Sequence, residues 1–167
     1  EVDYDNRIAY NALRVQFYTL ENQYIGEVFG MMYWAVNENS YRFAGDISGL
    51  ELSADTDYKV VVLANCPSAT TSIDDLYFDI KNSVYPDGYI PMWGVKSFRF
   101  TGSGVQDLGT IDLLRAMAKV EVTLSNQMVA NGYSLDNVVL NHHNTQGYCL
   151  PSLWNSVNKT SELDQDN

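Results

Sequence analysis

The chain has 167 residues, of which 46% are hydrophobic and 13% are aromatic. This length and composition suffice for one domain with one apolar core, and they exclude general disorder. The formal net charge of -11 at pH 7 opposes binding to nucleic acid or to an anionic membrane surface, because both depend on clustered Lys and Arg. We expect no membrane-spanning segment, since no apolar run approaches the roughly 20 residues that a spanning helix needs.

The first half of the chain is predicted to form β-strands. Leu13, Val15 and Phe17 alternate with polar residues, which predicts a half-buried strand. A turn is expected over 20–26, and strands are expected over 28–36 and over a short segment that begins at Tyr41. The β-branched run over 58–64 predicts a strand that is covered on both faces.

The second half contains one predicted helix and three predicted strands. Residues 72–80 favour a short helix, because a serine can cap its start and apolar residues recur on one face. Strands are predicted around Phe98, over 118–125, where apolar and polar residues alternate, and over 135–140. Short strands separated by turns predict an all-β sandwich of about seven strands, with at most one or two short helices.

The chain shows no internal repeat and no linker, so we treat it as one domain with polar ends. We expect a lead segment over 1–10, a β-sandwich domain over 11–152 and a polar C-terminal tail over 153–167.

The sequence gives little support for catalysis or for a metal site. His142 and His143 are the only histidines, and adjacent residues on a strand point to opposite faces, so they cannot easily share one metal. Residues Glu51, Asp55 and Asp57 are better explained as a polar turn than as a calcium loop, because their spacing does not match an EF-hand. We predict that the protein is not an enzyme and has no cofactor and no metal, although paired carboxylates keep a hydrolase as a distant third hypothesis.

The two cysteines leave two alternatives open. Cys66 and Cys149 lie far apart and show neither zinc-type nor redox-type spacing. They are either two separate thiols or one disulfide formed in an oxidising compartment.

Four groups of segments carry a family resemblance through their order and spacing. They are Arg7-Ile8 with the strand over 12–18, the run over 58–67 that ends in Ala-Asn-Cys-Pro, the segments 90–94 and 114–122, and the closing stretch over 133–151. In this order they resemble the fimbrillin-type subunits of Bacteroidales surface fimbriae, the FimA and Mfa class with its anchor and tip proteins.

The resemblance implies a transthyretin-like Greek-key β-sandwich that corresponds to the N-terminal one of the family's usual two domains. It implies an exported protein of the cell surface, outer membrane or fimbrium, attached through a lipid anchor that is not part of this sequence. The partners that it implies are other fimbrial subunits, joined by β-strand exchange, and a host or bacterial surface ligand.

The resemblance also suggests roles in assembly for individual residues. Leu13, Val15 and Phe17 are the candidate strand-exchange segment. Arg7 and Arg14 are candidate cleavage positions for an Arg-directed protease, although an exposed arginine is more often simply solvated.

Five further residues of the family motifs receive structural roles. Pro91 and Gly94 would shape the tight entry to a strand, and Trp93 would cover one end of the core. Arg115 and Lys119 would pair with acidic residues on a neighbouring strand or subunit.

The sequence therefore predicts a structural or adhesive subunit of a bacterial surface fimbria. The alternative is a glycan-binding β-sandwich of the cell surface, in which Trp93 and Trp154 would stack on sugar rings.

Overall fold

The computed structural model describes residues 6–66, 71–73, 77–79, 89–102, 104–117, 120–141, 146–148, 154–155 and 160–161. The strands of this part are β1 Leu13–Thr19, β2 Tyr24–Val28, β3 Gly30–Ala35, β4 Ser40–Gly45, β5 Thr56–Ala64, β6 Tyr77–Asp79, β7 Met92–Phe100, β8 Leu114–Arg115, β9 Gln146–Tyr148, β10 Trp154–Asn155 and β11 Thr160–Ser161. A 3-10 helix spans Val36–Glu38, and the α-helix α1 spans Asn126–Ala130.

The main sheet has five strands in the order β2-β1-β5-β7-β8, and all neighbours are antiparallel. Strand β5 lies at its centre. It pairs with β1 from Leu13 to Thr19 and with β7 along its whole length, from Thr56 opposite Phe100 to Ala64 opposite Met92. The shorter strands β6 with β9 and β10 with β11 form separate two-stranded pairs.

The β3–β4 hairpin forms the second layer of the sandwich. Met32 and Tyr41 from this hairpin pack against a cluster formed by Ala64 and Met92 of the main sheet and by Ile8, which precedes β1. Together, the main sheet and the hairpin contain seven strands. The prediction of an all-β sandwich of about seven strands with one or two short helices is therefore confirmed.

Glycines allow the chain to leave the main sheet at Phe29, between β2 and β3. A Cβ atom on Gly30 would lie 2.1 Å from the carbonyl oxygen of Ala44 on the paired strand, and one on Gly45 would lie 2.4 Å from a methyl of Val28. Only residues without a side chain permit this close backbone approach. The hairpin can therefore fold back over the main sheet directly after β2.

The central strand β5 is buried on both faces, as its β-branched run predicts. Val61 and Leu63 pack on one face, in a cluster with Tyr18 and Trp93. Val60 and Val62 pack on the other face, in a cluster that includes Phe17.

Strand β1 departs from the half-buried pattern that its sequence predicts. Val15 and Phe17 face one cluster, but Gln16 and Tyr18, on the opposite face, are also fully buried at 0% exposure. The side-chain amide of Gln16 is satisfied by hydrogen bonds with Tyr18 and Glu27, which removes most of the penalty for burying it.

Several local predictions are wrong. Part of the expected turn over 20–26 is strand β2, and residues 77–79 of the expected helix form strand β6. Residues 120–125 and 135–140 are not in strands, and apolar side chains such as Val120 and Val139 are 71% and 65% exposed. Alternation predicts which face of a strand is apolar, but a strand also needs a paired neighbour, and the described residues supply none for these two segments.

The sequence did not predict α1. The hydroxyl of Ser125 accepts a hydrogen bond from the backbone N–H of Met128 at 3.3 Å, which caps the helix start. Gly132, with a φ of +83°, ends the turn that follows. Within the described ranges, no helix has the length and apolar character required to cross a membrane.

Candidate functional site

Among the described residues, the outer edge of β7 is paired only near its start. Strand β8 pairs with β7 only at Met92 and Trp93. Just before this pairing, the carbonyl oxygen of Pro91 accepts a hydrogen bond from the backbone N–H of Ala116 at 2.8 Å. Among the described strands, none pairs with this edge of β7 beyond Trp93.

The direction of the free backbone groups follows from the bond at Pro91. Backbone hydrogen-bonding groups alternate between the two edges of a strand, and the Pro91 carbonyl points to the β8 side. The N–H and C=O groups of Val95, Ser97 and Arg99 therefore point to the same edge, away from β5. We call this edge, from Val95 to Arg99, the β7 edge.

The side chains around the β7 edge are basic and aromatic. The ammonium of Lys96 donates to the carbonyl oxygen of Thr110 at 3.1 Å, and Arg99 lies 3.4 Å from the carboxylate of Asp57. The ring of Phe98 packs edge-on against Phe17 at a centroid distance of 5.8 Å. The edge therefore offers backbone pairing beside two positive charges in a protein that is strongly acidic overall.

The candidate strand-exchange segment lies in the interior of the main sheet. Leu13, Val15 and Phe17 belong to β1, which is paired with β2 on one side and with β5 on the other. Val15 and Phe17 are 4% and 2% exposed. Withdrawal of β1 would break two ladders and open the core, whereas the β7 edge needs no strand to be removed.

A charged network fixes β1 to β2 on the face opposite Phe17. Arg14 donates from its Nε to Glu27 at 2.9 Å and from its Nη2 to the second carboxylate oxygen at 2.5 Å. Gln16 also donates to Glu27, at 3.3 Å. The hydroxyl of Tyr18 donates to the Gln16 carbonyl at 2.7 Å and lies 3.2 Å from the backbone carbonyl of Thr71.

The protonation states in this network follow from its contacts. Burial raises the pKa of Glu27, but the hydrogen bonds from Arg14 and Gln16 outweigh that effect and leave the pKa below its ordinary value. Burial, with a smaller contribution from Tyr24, raises the pKa of Tyr18 to about 12. At neutral pH the network therefore contains an ionised Glu27 and a neutral Tyr18.

Of the two candidate cleavage positions, Arg14 lies within a strand and Arg7 lies outside all strands. The peptide bond after Arg14 is part of the doubly paired strand β1. The backbone carbonyl of Arg7 accepts a hydrogen bond from the side chain of Asn65 at 2.9 Å. Cleavage at either position stays a prediction, and Arg7 is the one that requires no strand to open.

The comparison with protein families bears directly on this sandwich. The family model of the fimbrillin-A associated anchor proteins Mfa1 and Mfa2 matches residues 12–166. The chain belongs to this family. Neither a curated protein nor a solved structure matches it. Membership supports a fimbrial subunit role, a location in cell-surface fimbriae and other fimbrial subunits as partners.

In this fimbrial protein, three of the motif residues lie where β7 begins. Pro91 connects β7 to β8 through its carbonyl. Trp93 is 8% exposed and packs in the core cluster with Tyr18 and Leu63. Gly94 is needed because a covering segment crosses it: an added Cβ would lie 2.5 Å from the carbonyl oxygen of Asp112.

The other two motif residues are less informative. Arg115 is on β8 opposite Met92. Lys119 lies outside the described residues, so its predicted pairing and that of Arg115 stay predictions.

Several other candidates also fall outside the described residues. They are His142, His143, Cys149 and the side chain of Trp154. The thiol of Cys66 contacts the carbonyl oxygens of Ala64 and Met92 at 3.5 and 3.4 Å. Its pairing with Cys149 stays open, and so does the catalytic and metal role of the histidines.

Sequence reasoning missed two residues that organise this region. Glu27 carries the charged network, and Asn65 ties the lead segment to the sheet. The available signal for Asn65 was its position directly after the apolar run of β5, where an asparagine often adopts a left-handed conformation. The observed φ of Asn65 is +58°.

Proposed function

We propose that this domain is a structural or adhesive subunit of a bacterial surface fimbria that joins sibling subunits by β-strand complementation at the β7 edge. The observation that carries the proposal is that, among the described strands, none pairs with the backbone from Val95 to Arg99 on the side away from β5. An unpaired edge is a template for an added strand, and natural proteins usually cover or shield such edges.

The chemistry of the edge indicates what kind of segment it accepts. The five residues of the β7 edge, from Val95 to Arg99, span about 17 Å, which matches an ordinary short strand. Lys96 and Arg99 favour a partner strand that carries at least one acidic residue, while Phe98 favours apolar residues at alternate positions. The same two cations discourage indiscriminate pairing, because charged residues protect exposed edges.

A proline substitution tests the edge without breaking the sheet. In the Ser97→Pro variant, the missing N–H is one that points away from β5, so the β5–β7 ladder stays intact. Ser97→Ala is the matched control, because it removes the hydroxyl and keeps the N–H. Binding of each variant to co-expressed sibling subunits is measured by affinity capture and by native mass spectrometry.

We expect Ser97→Ala to bind siblings like the wild type and Ser97→Pro to bind at least tenfold more weakly, with unchanged circular dichroism. Equal binding by a folded Ser97→Pro variant would exclude the β7 edge as the acceptor. Failure of the wild type to bind any sibling would count against the strand-complementation role itself.

The finer features of the family belong to the same proposal. They are the transthyretin-like Greek-key connectivity, export to the outer membrane and attachment through a lipid anchor. The proposed role is mechanical, so it requires no catalysis and no cofactor.

The glycan-binding alternative loses one of its two proposed stacking residues. Trp93 is packed in the core and presents no open ring face to a sugar. The alternative now depends on Trp154, whose side chain lies outside the described residues.

A further inference from the structure

The described end of the lead segment, together with residues 11–12, is held against the body of the domain by hydrogen bonds in which Asn65 is the main partner. Asn65, at the end of β5, accepts a hydrogen bond from the backbone N–H of Ala9 at 2.9 Å. Its amide nitrogen donates to the carbonyl oxygens of Arg7 and Ile90, both at 2.9 Å. The backbone N–H of Asn65 donates to Ala12, also at 2.9 Å.

The docked segment covers part of the apolar core. Ile8 is 9% exposed and packs in one cluster with Ala64 and Met92. Its backbone N–H donates to the hydroxyl of Tyr41, on the β3–β4 hairpin, at 3.1 Å. Ile8 therefore fills the space between the main sheet and the hairpin.

The attachment is not a strand ladder. Residues 6–12 are outside every described strand, and hydrogen bonds to Asn65 and Tyr41 and the buried side chain of Ile8 contribute to their position. Segments held by few contacts open locally, at a lower free-energy cost than the strands of the core.

We propose that Asn65 is a latch for the lead segment, which controls access both to the peptide bond after Arg7 and to the apolar space under Ile8. With the latch closed, the Arg7 carbonyl is engaged and Ile8 is buried. With the latch open, the segment detaches and both become accessible. This inference goes beyond the proposed function, because it does not depend on the β7 edge or on any partner subunit.

The left-handed backbone of Asn65 provides a clean way to remove the latch. Asn65→Gly accepts a φ of +58° without strain and deletes all three side-chain hydrogen bonds. Asn65→Asp retains the acceptor for Ala9 but loses both donors. Asn39→Gly is the matched control: Asn39 also has a left-handed backbone, with a φ of +51°, and it caps the 3-10 helix over Val36–Glu38.

Limited trypsin digestion of the full chain, followed by mass spectrometry, measures the rate of cleavage after Arg7. We expect slow cleavage in the wild type and in Asn39→Gly, an intermediate rate in Asn65→Asp, and at least a tenfold increase in Asn65→Gly. A tenfold increase corresponds to about 1.4 kcal/mol of latch free energy. Cleavage after Arg99, within the sheet, should not change in any variant.

Hydrogen exchange at the amide of Ala9 gives an independent readout. Its N–H should be protected in the wild type and lose protection in Asn65→Gly, while the amides of β5 stay protected. The latch is excluded if Asn65→Gly leaves the cleavage rate after Arg7 unchanged. It is equally excluded if the rates after Arg7 and Arg99 rise together, since that would show a global loss of stability.

Discussion

Replacing Glu27 with alanine should destabilise the domain through the loss of one charged network. The carboxylate accepts two hydrogen bonds from Arg14 and one from Gln16. The side chains of Glu27 and Arg14 are 11% and 22% exposed, so water replaces these bonds only in part. Removal of one member of a buried pair costs about 3–5 kcal/mol, and the partial exposure lowers our expectation to about 2–3 kcal/mol.

Thermal and urea denaturation at pH 7 measure this loss. For a domain of this size, about 2–3 kcal/mol should lower the melting temperature by roughly 5–10 °C. A double-mutant cycle with Arg14→Leu and Glu27→Leu isolates the pair itself, and the second substitution should cost less once the first has been made.

The exposed pair of Arg42 and Glu38 is a matched control. Their side chains are 57% and 47% exposed, and the charged atoms lie 2.6 Å apart. We expect no measurable change for Glu38→Ala, because water and salt screen an exposed pair. If Glu27→Ala and Glu38→Ala destabilise the domain equally, burial does not strengthen the Arg14–Glu27 pair and the reasoning is wrong.

Four other substitutions have defined expected outcomes. The pKa of Glu27 is lowered on folding, so Glu27 contributes to the free energy of unfolding above its ordinary pKa of 4.5, and this contribution is lost as the pH falls through the folded pKa. Glu27→Gln should therefore reduce the loss of stability at acid pH in a stability-versus-pH curve. Because the pKa of Tyr18 is raised from 10.0 to about 12, the domain should lose stability as the pH rises across that interval, and Tyr18→Phe should remove this alkaline loss in urea titrations. Gly94→Ala should cost about 1–3 kcal/mol by displacing the segment that crosses it, whereas Gly49→Ala, which meets open space, should change the melting temperature little. Leu63→Ala removes a fully buried side chain and should cost about 2–5 kcal/mol in urea unfolding, and a smaller loss would mean that the core around β5 collapses to fill the cavity.

The sequence predicts the centre of the fold better than its periphery. The run over 58–64 is apolar at nearly every position, and only a strand covered on both faces buries all of these side chains. Strand β1 was predicted as a strand, but the burial of Gln16 was not. That burial depends on Glu27, which comes from β2 and is placed opposite Gln16 by the register.

The failed predictions share one physical cause. The segments over 120–125 and 135–140 have the alternation of a strand, yet alternation contains no information on which strand is the neighbour. The predicted helix over 72–80 has the periodicity of a helix, but residues 77–79 pair with β9, and this tertiary pairing overrides the local preference. Because these segments are short, their local propensity is too weak to determine their secondary structure.

The candidate site was even less accessible to sequence reasoning. An edge is left unpaired where the pairing with a neighbouring strand ends, and β8 pairs with β7 at only two positions, which no local sequence pattern indicates. The family motifs nevertheless lie next to the β7 edge, because Pro91, Trp93 and Gly94 are where β7 meets β8. They did not identify Asn65, whose role depends on three backbone groups that are distant in sequence.

The relative cost of two assembly routes favours the β7 edge over exchange of β1. Exchange of β1 requires the loss of its ladders with β2 and β5, exposure of Val15 and Phe17, and separation of Arg14 from Glu27. An incoming strand would have to restore all of these contacts before the exchange gave any net stabilisation. Addition at the β7 edge breaks no ladder, and each new backbone hydrogen bond satisfies groups that already point outward. If cleavage does occur after Arg7, it removes residues 1–7 and leaves Ile8 and β1 joined to the domain, so the strand stays in the sheet and the β7 edge is preserved.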